Sequence, residues 1–151
     1  MGIDFGENPS TLDRYFWARH ANPLSGWSRV AAGPLLMACL YRRDWRGLAV
    51  TLAFVVVNPF LFPPPESDDA WMTRGVLGER LWTDQERKYR RYPGVVTVLS
   101  GVTWLYAVYA AVKKRPAETA LATALSMTLK FWFVAEVAHL YEATQSAESG
   151  G

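Results

Sequence analysis

This chain is short of the residues that most soluble functions rest on. It has one cysteine, Cys39, so an internal disulfide and a Cys-based zinc motif are both excluded. It has two histidines, His20 and His139, among 151 residues. It also has little excess of either charge, because 16 Lys and Arg against 14 Asp and Glu leave a net +2. Nucleic-acid binders carry a clustered basic excess, so no nucleic-acid partner is expected. Polar low complexity is missing too: half the residues are hydrophobic, and Phe, Trp and Tyr occur seven times each. Such a composition does not stay disordered. Met1–His20 lacks a basic start followed by an apolar stretch, so no signal peptide is expected.

What the chain does have is segregation of charge. Val30–Tyr41, Gly47–Pro65, Pro93–Val112 and Thr119–Leu129 contain no Asp, Glu, Lys or Arg. The charges gather between them, at Arg42 to Arg46, Glu66 to Arg91 and Lys113 to Arg115. A soluble helix shows charge every few residues on its wet face. Charge-free runs near 20 residues instead match a hydrocarbon layer roughly 30 Å thick at about 1.5 Å per residue. The expected fold is an all-α, four-helix transmembrane bundle forming one domain over residues 1–151, with spans at about 23–41, 47–64, 93–112 and 117–141. Pro93–Val112 is the strongest of these; the others carry Arg29, the Asn58-Pro59 interruption, and Lys130 with Glu136. The lipid bilayer is the expected partner and the cell membrane the expected location. The weaker reading of the apolar runs is the core of a soluble helical bundle.

Asn8-Pro9, Asn22-Pro23 and Asn58-Pro59 repeat one helix-starting device, Asn as N-cap and Pro at the first helical position. The first predicts a short helix to about Arg19 lying on the membrane surface, with Leu12, Tyr15 and Phe16 on one face and Arg14 and Ala18 opposite. Asn22-Pro23 predicts the start of the first span, with a kink at Gly33-Pro34. Asn58-Pro59 predicts either the end of the second span or a broken helix lining a cavity. Residues 66–92 read as a loop in which Thr83-Asp84-Gln85-Glu86, a capping box, opens a helix. Trp71, Leu81 and Trp82 read as interfacial anchors. Glu142–Gly151 reads as a frayed polar tail.

Lys and Arg near the spans number nine on the side of the termini and long loop, against six at the two short turns. The positive-inside rule then places both termini in the cytoplasm.

Several strings are distinctive: His20-Ala21-Asn22-Pro23-Leu24-Ser25-Gly26-Trp27-Ser28-Arg29, Asn58-Pro59-Phe60-Leu61-Phe62-Pro63-Pro64-Pro65, Trp71-Met72-Thr73-Arg74 and Leu77-Gly78-Glu79-Arg80-Leu81-Trp82. They resemble a family of small prokaryotic membrane proteins, common in haloarchaea and known only as a domain of unknown function. Leu129-Lys130-Phe131-Trp132-Phe133-Val134 and Leu140-Tyr141-Glu142 resemble it as well. Ala135-Glu136 stands where the resemblance implies an acidic–basic pair, so no role for that pair is carried over. The resemblance implies a membrane protein and assigns no activity.

Ionisable side chains inside a bilayer are costly and mark candidate sites. Lys130 and Glu136 are six residues apart, about 120° around a helix, so each needs a partner elsewhere; Arg29 is the expected one for Glu136. Glu136-Val137-Ala138-His139 has the Glu-x-x-His spacing of di-iron bundles, but no second copy exists. No metal and no cofactor are therefore expected, and His139 reads as interfacial or capping. His20 with Arg19, Asn22, Ser25 and Ser28 forms a polar patch at the mouth of the first span, a capped helix start or, through Arg19 and Arg29, a site for a lipid headgroup phosphate. The candidate cluster is thus Arg19, His20, Asn22, Arg29, Asn58, Lys130, Glu136 and His139.

Ala120-x-x-x-Ala124 and Thr97-x-x-x-Gly101 read as intrachain helix packing, with a homo-oligomer or another membrane protein as the alternative partner. Common hydrolase, NTPase and zinc-protease signatures are absent. The expected function is a non-catalytic scaffold or accessory subunit. The alternative is membrane-embedded transport or a lipid-directed activity through the intramembrane charges.

Overall fold

The structure, a computed structural model, describes residues 10–11, 13–84 and 91–149. Among these there is no strand. A π-helical turn, Asp13–Trp17, runs into the short helix α1 (Ala18–His20). The longer helices are α2 (Pro23–Arg42), α3 (Trp45–Leu61), α4 (Trp71–Asp84), α5 (Arg91–Val112) and α6 (Pro116–Ser149).

The helix boundaries have local causes. Asn22 is extended, and its side-chain oxygen accepts from Leu24 N–H at 2.9 Å, while Pro23 fills the first helical position. Pro34 lies inside α2. The helix stops where Arg43 takes a left-handed φ of 60°, and Asp44 then caps α3 by accepting from Gly47 N–H at 2.9 Å. Lys114, with φ 59°, plays the same part in the turn from α5 to α6. Both short turns lie at one end of the molecule: the Lys114 ammonium bonds the Tyr41 carbonyl and sits 4.8 Å from the centre of the Tyr41 ring.

The Asn-Pro device therefore starts a helix at Asn22 but not at Asn58. Asn58 and Pro59 are buried within α3, which continues unbroken to Leu61. Asn8-Pro9 lies outside the described residues. In the N-terminal segment Ala18 is buried and Tyr15 is 64% exposed, and the segment packs across the end of α3 through Phe16, whose ring lies 6.4 Å from that of Phe60. Leu12 and the Arg14 side chain lie outside the described residues.

The largest correction concerns residues 66–92. A helix already occupies Trp71–Asp84, so Thr83 sits in its last turn and donates to Glu79 C=O at 2.7 Å instead of capping a new helix. Glycines explain how α4 docks. A Cβ on Gly78 would stand 1.8 Å from Val137 O, and one on Gly75 would stand 2.5 Å from a Val134 methyl. The backbone of α4 thus lies directly on α6, as small residues permit. Trp82 meets Phe133 edge-on at 5.3 Å, Trp71 lies 6.3 Å from Phe131, and Leu81 packs beside Tyr141 and Val76. These three side chains hold α4 to the bundle. The expected tail is also structured: α6 continues to Ser149, with Glu142 paired to Arg74 at 2.9 Å.

Helices α5 and α6 join through Ser100 and Ser126. Each hydroxyl donates to the other residue's carbonyl, at 3.0 and 2.9 Å. Below them Ala107, Ala111 and Ala122 pack with Met37 of α2. Ala120 and Ala124, expected in that seam, face outward, and Thr97 and Gly101 border a cavity.

Among the described residues two helices are long and apolar enough to cross a membrane, over Pro93–Val112 and Pro116–Ala147. Only 28% of the most apolar 18-residue window in each is buried. α3 is apolar but has 17 residues, and α2 carries Arg29 beside Ser25 and Ser28.

Candidate binding cavity

A cavity of about 630 Å³ opens between α2, α4, α5 and α6. Two glycines keep it open: a Cβ on Gly101 would meet nothing within 4 Å, and one on Gly33 would only touch Trp104 at 3.6 Å. Its walls are mainly apolar, including Val30, Leu36, Trp104, Met127 and Phe131. At one level of this surface four ionisable residues converge: His20, Arg29, Glu79 and Lys130.

Helical rise fixes the depth of that level. Arg29 lies 13 residues from the end of α2 and Lys130 lies 14 from the start of α6, both ends belonging to the short-turn side. At 1.5 Å per residue both stand about 20 Å from that side. Different helices thus bring the two cations to one layer.

Arg29 Nε donates to Ser25 C=O at 3.1 Å, and Nη1 approaches His20 Nδ1 at 2.6 Å. His20 is stacked on Phe16 with ring centroids 4.9 Å apart. Burial, then the charges of Arg29 and Lys130, push its pKa down to about 3. It is therefore a neutral acceptor that holds Arg29 in place. Lys130 Nζ stands 3.4 Å from Glu79 Oε1 and 4.5 Å from the centre of the Phe133 ring. Arg29 makes no ion pair among the described residues, and its Nη2 amine has no hydrogen-bond partner there. With His20 neutral, two cations and one carboxylate leave a local charge of +1.

The remaining predicted residues separate by role. Asn58 accepts from Ser25 Oγ at 2.7 Å and donates to Ser28 Oγ at 2.8 Å, tying α3 to α2. Asn22 donates to Pro63 C=O at 2.9 Å and Arg19 to Phe60 C=O at 3.2 Å, which pins the chain after α3 to the start of α2. None of these three lines the cavity. Glu136 accepts from Trp132 Nε1 of its own helix at 3.1 Å, so the expected Arg29–Glu136 pair does not form. His139 is largely exposed and lies 3.4 Å from Glu142. Neither joins the cavity. Among the described residues no group of three His, Cys, Asp or Glu side chains converges as a metal site would require.

Glu79 is not among the residues the sequence singles out, because residues 66–92 read as a loop as far as the capping box at Thr83. The available signal was Met72, Val76 and Glu79 at i, i+4 and i+7, one helical face. Thr97 was missed as a cavity residue: its hydroxyl is buried and has no partner among the described residues.

No curated protein and no solved structure matches this chain. Over residues 8–150 it matches the Family of unknown function (DUF6653). The cavity, with its cationic layer, is thus a feature of a protein that belongs to that family of unknown function.

Proposed function

We propose that the chain is a multi-pass integral membrane protein that holds a lipid-type molecule in its interior. α2, α3, α5 and α6 are the four spans, and α4 closes the side that carries the termini. One observation carries this reading, the inversion of polarity between surface and interior. Val50, Val56, Val98, Leu105 and Leu121 are 65 to 71% exposed, while Ser25, Asn58, Ala107 and Ala110 are at 0%. In water such a surface would aggregate. In hydrocarbon it is the favourable arrangement, with small and polar residues joining the helices. The location is the cell membrane, and nine basic residues against six favour cytoplasmic termini.

A cavity of about 630 Å³ with mainly apolar walls falls within the usual range for small-molecule sites. In a bilayer its natural occupant is an acyl or isoprenoid chain. Two measurements test the proposal. Alkaline-carbonate extraction should leave the protein in the membrane pellet until detergent is added; release into the supernatant overturns the membrane reading. Tritiated oleyl alcohol should bind the detergent-purified protein, and Gly101→Leu, which fills the open space beside Gly101, should abolish that binding. A pelleted protein that takes up neither this alcohol nor the fatty acid of the same chain, oleate, would return the function to a non-catalytic accessory subunit, for which the exposed Ala120–Ala124 face beside α2 is the docking candidate.

A further inference from the structure

We infer that the occupant of this cavity is a single-chain amphiphile with an anionic head, a carboxylate or a phosphate monoester, whose head is held by Arg29 and Lys130. The inference rests on the lipid-binding reading above and adds the chemistry of the head. Three observations carry it.

First, the charges are unbalanced. Arg29 is drawn to Glu79 across space, but that carboxylate is already engaged by Lys130, and no acid touches the guanidinium among the described residues. A cation at this depth is costly unless something neutralises it. A neutral occupant leaves Arg29 uncompensated, and a cationic one meets two like charges. An anion corrects the local +1.

Second, donors are available. Arg29 offers the Nη2 amine, and a guanidinium fork suits the paired oxygens of a carboxylate or phosphate. The Lys130–Glu79 separation of 3.4 Å exceeds the 2.7–2.9 Å of a tight charge-assisted bond, and the Lys130 side chain is 51% exposed. The ammonium can therefore turn to a second anion. On the same cavity, Thr97 Oγ1 is buried without a partner among the described residues.

Third, the size fits one chain. About 630 Å³ lies within the roughly 300–1,000 Å³ of a single small-molecule site, room for one acyl or isoprenoid chain. Gly33, Gly101 and Trp104 border the apolar part that would receive it.

The test compares three tritiated probes on the full-length protein in a non-ionic maltoside detergent at about pH 8.5: oleate, 1-oleoyl lysophosphatidate and oleyl alcohol. Both anions should bind at least about tenfold more tightly than the alcohol, the equivalent of one charge-assisted hydrogen bond. Arg29→Gln should remove that preference while alcohol binding persists, which shows that the variant is folded. Lys130→Gln should weaken both anions and spare the alcohol, a second check that does not depend on Arg29. Native mass spectrometry of freshly extracted protein distinguishes the two sources, because a retained lysophospholipid and a retained free fatty acid differ in mass. Alcohol binding as tight as oleate binding overturns the anion inference and leaves the lipid-binding reading standing. Failure of all three probes overturns both.

Discussion

Asn58 shows how one buried polar residue orders two helices here. Its carbonyl accepts from Ser25 and its amide donates to Ser28, so both ends of the side chain are satisfied by α2. Replacement by Leu would remove both bonds and leave the Ser25 hydroxyl without this acceptor. Interhelical hydrogen bonds in membranes average about 0.6 kcal/mol and reach about 1.7 kcal/mol. Asn58→Leu should therefore cost about 1–2 kcal/mol, read as a lower thermal unfolding midpoint in detergent. His20 makes a pH prediction. Its folded pKa of about 3 lies below the ordinary 6.5, so between those values the unfolded chain binds a proton that the folded chain does not. Stability then rises with pH through that window and is complete above about 6.5. At pH 5 the penalty should be about 2 kcal/mol at 1.36 kcal/mol per pH unit. The unfolding midpoint should fall between pH 7.5 and pH 5, and His20→Gln should fall less. Asn22 and His20 were legible in the sequence because capping and polarity at a helix mouth are local signals. The Arg29–His20 contact was not, since a turn between them decides which way the guanidinium faces.

At the scale of the element, α4 was the least legible part of the fold. Its sequence, Trp71–Asp84, mixes apolar residues with Arg74, Glu79, Arg80 and two glycines, and in isolation those glycines argue against a helix. Tertiary contact reverses the argument, because Gly75 and Gly78 are what let α4 reach the backbone of α6. A paired substitution tests this. Gly78→Ala places a methyl where Val137 O already stands, a backbone clash that side-chain movement cannot relieve. It should destabilise the protein by about 1–3 kcal/mol or more and open α4 to limited proteolysis. Gly101→Ala adds a methyl to empty space on a helix and should be neutral or stabilising by up to about 1 kcal/mol. Equal effects of the two changes in the unfolding midpoint would remove the close-packing account of α4.

Across the whole molecule, each charge-free run falls within a long helix or covers most of one, because an uninterrupted apolar run has no polar break at which a helix would end. Pro93–Val112 forms nearly all of α5, and the short runs of charge at Arg42–Arg46 and Lys113–Arg115 became the two tight turns. How many helices cross is a separate matter, since α2 is interrupted by small polar residues and Arg29 while α3 is only 17 residues long. Two topologies differ at a single comparison. With four spans, Arg43 and Ser67 lie on opposite sides of the membrane, separated by α3. With α5 and α6 alone crossing, both lie on the same side. In a Cys39→Ala background, Arg43→Cys and Lys113→Cys should react with a membrane-impermeant maleimide from one side, and Ser67→Cys and Gln145→Cys from the other. The buried position of Cys39 makes its replacement by a small residue the mildest route to that background. The basic-residue bias places positions 43 and 113 outside, labelled in intact cells, and positions 67 and 145 inside, labelled only after the membrane is opened. Labelling of 43 and 67 from the same side would reduce the protein to two spans. The apolar face of α3 would then need a protein partner to cover it, and the cavity, whose Arg29 belongs to α2, would lie at the membrane surface.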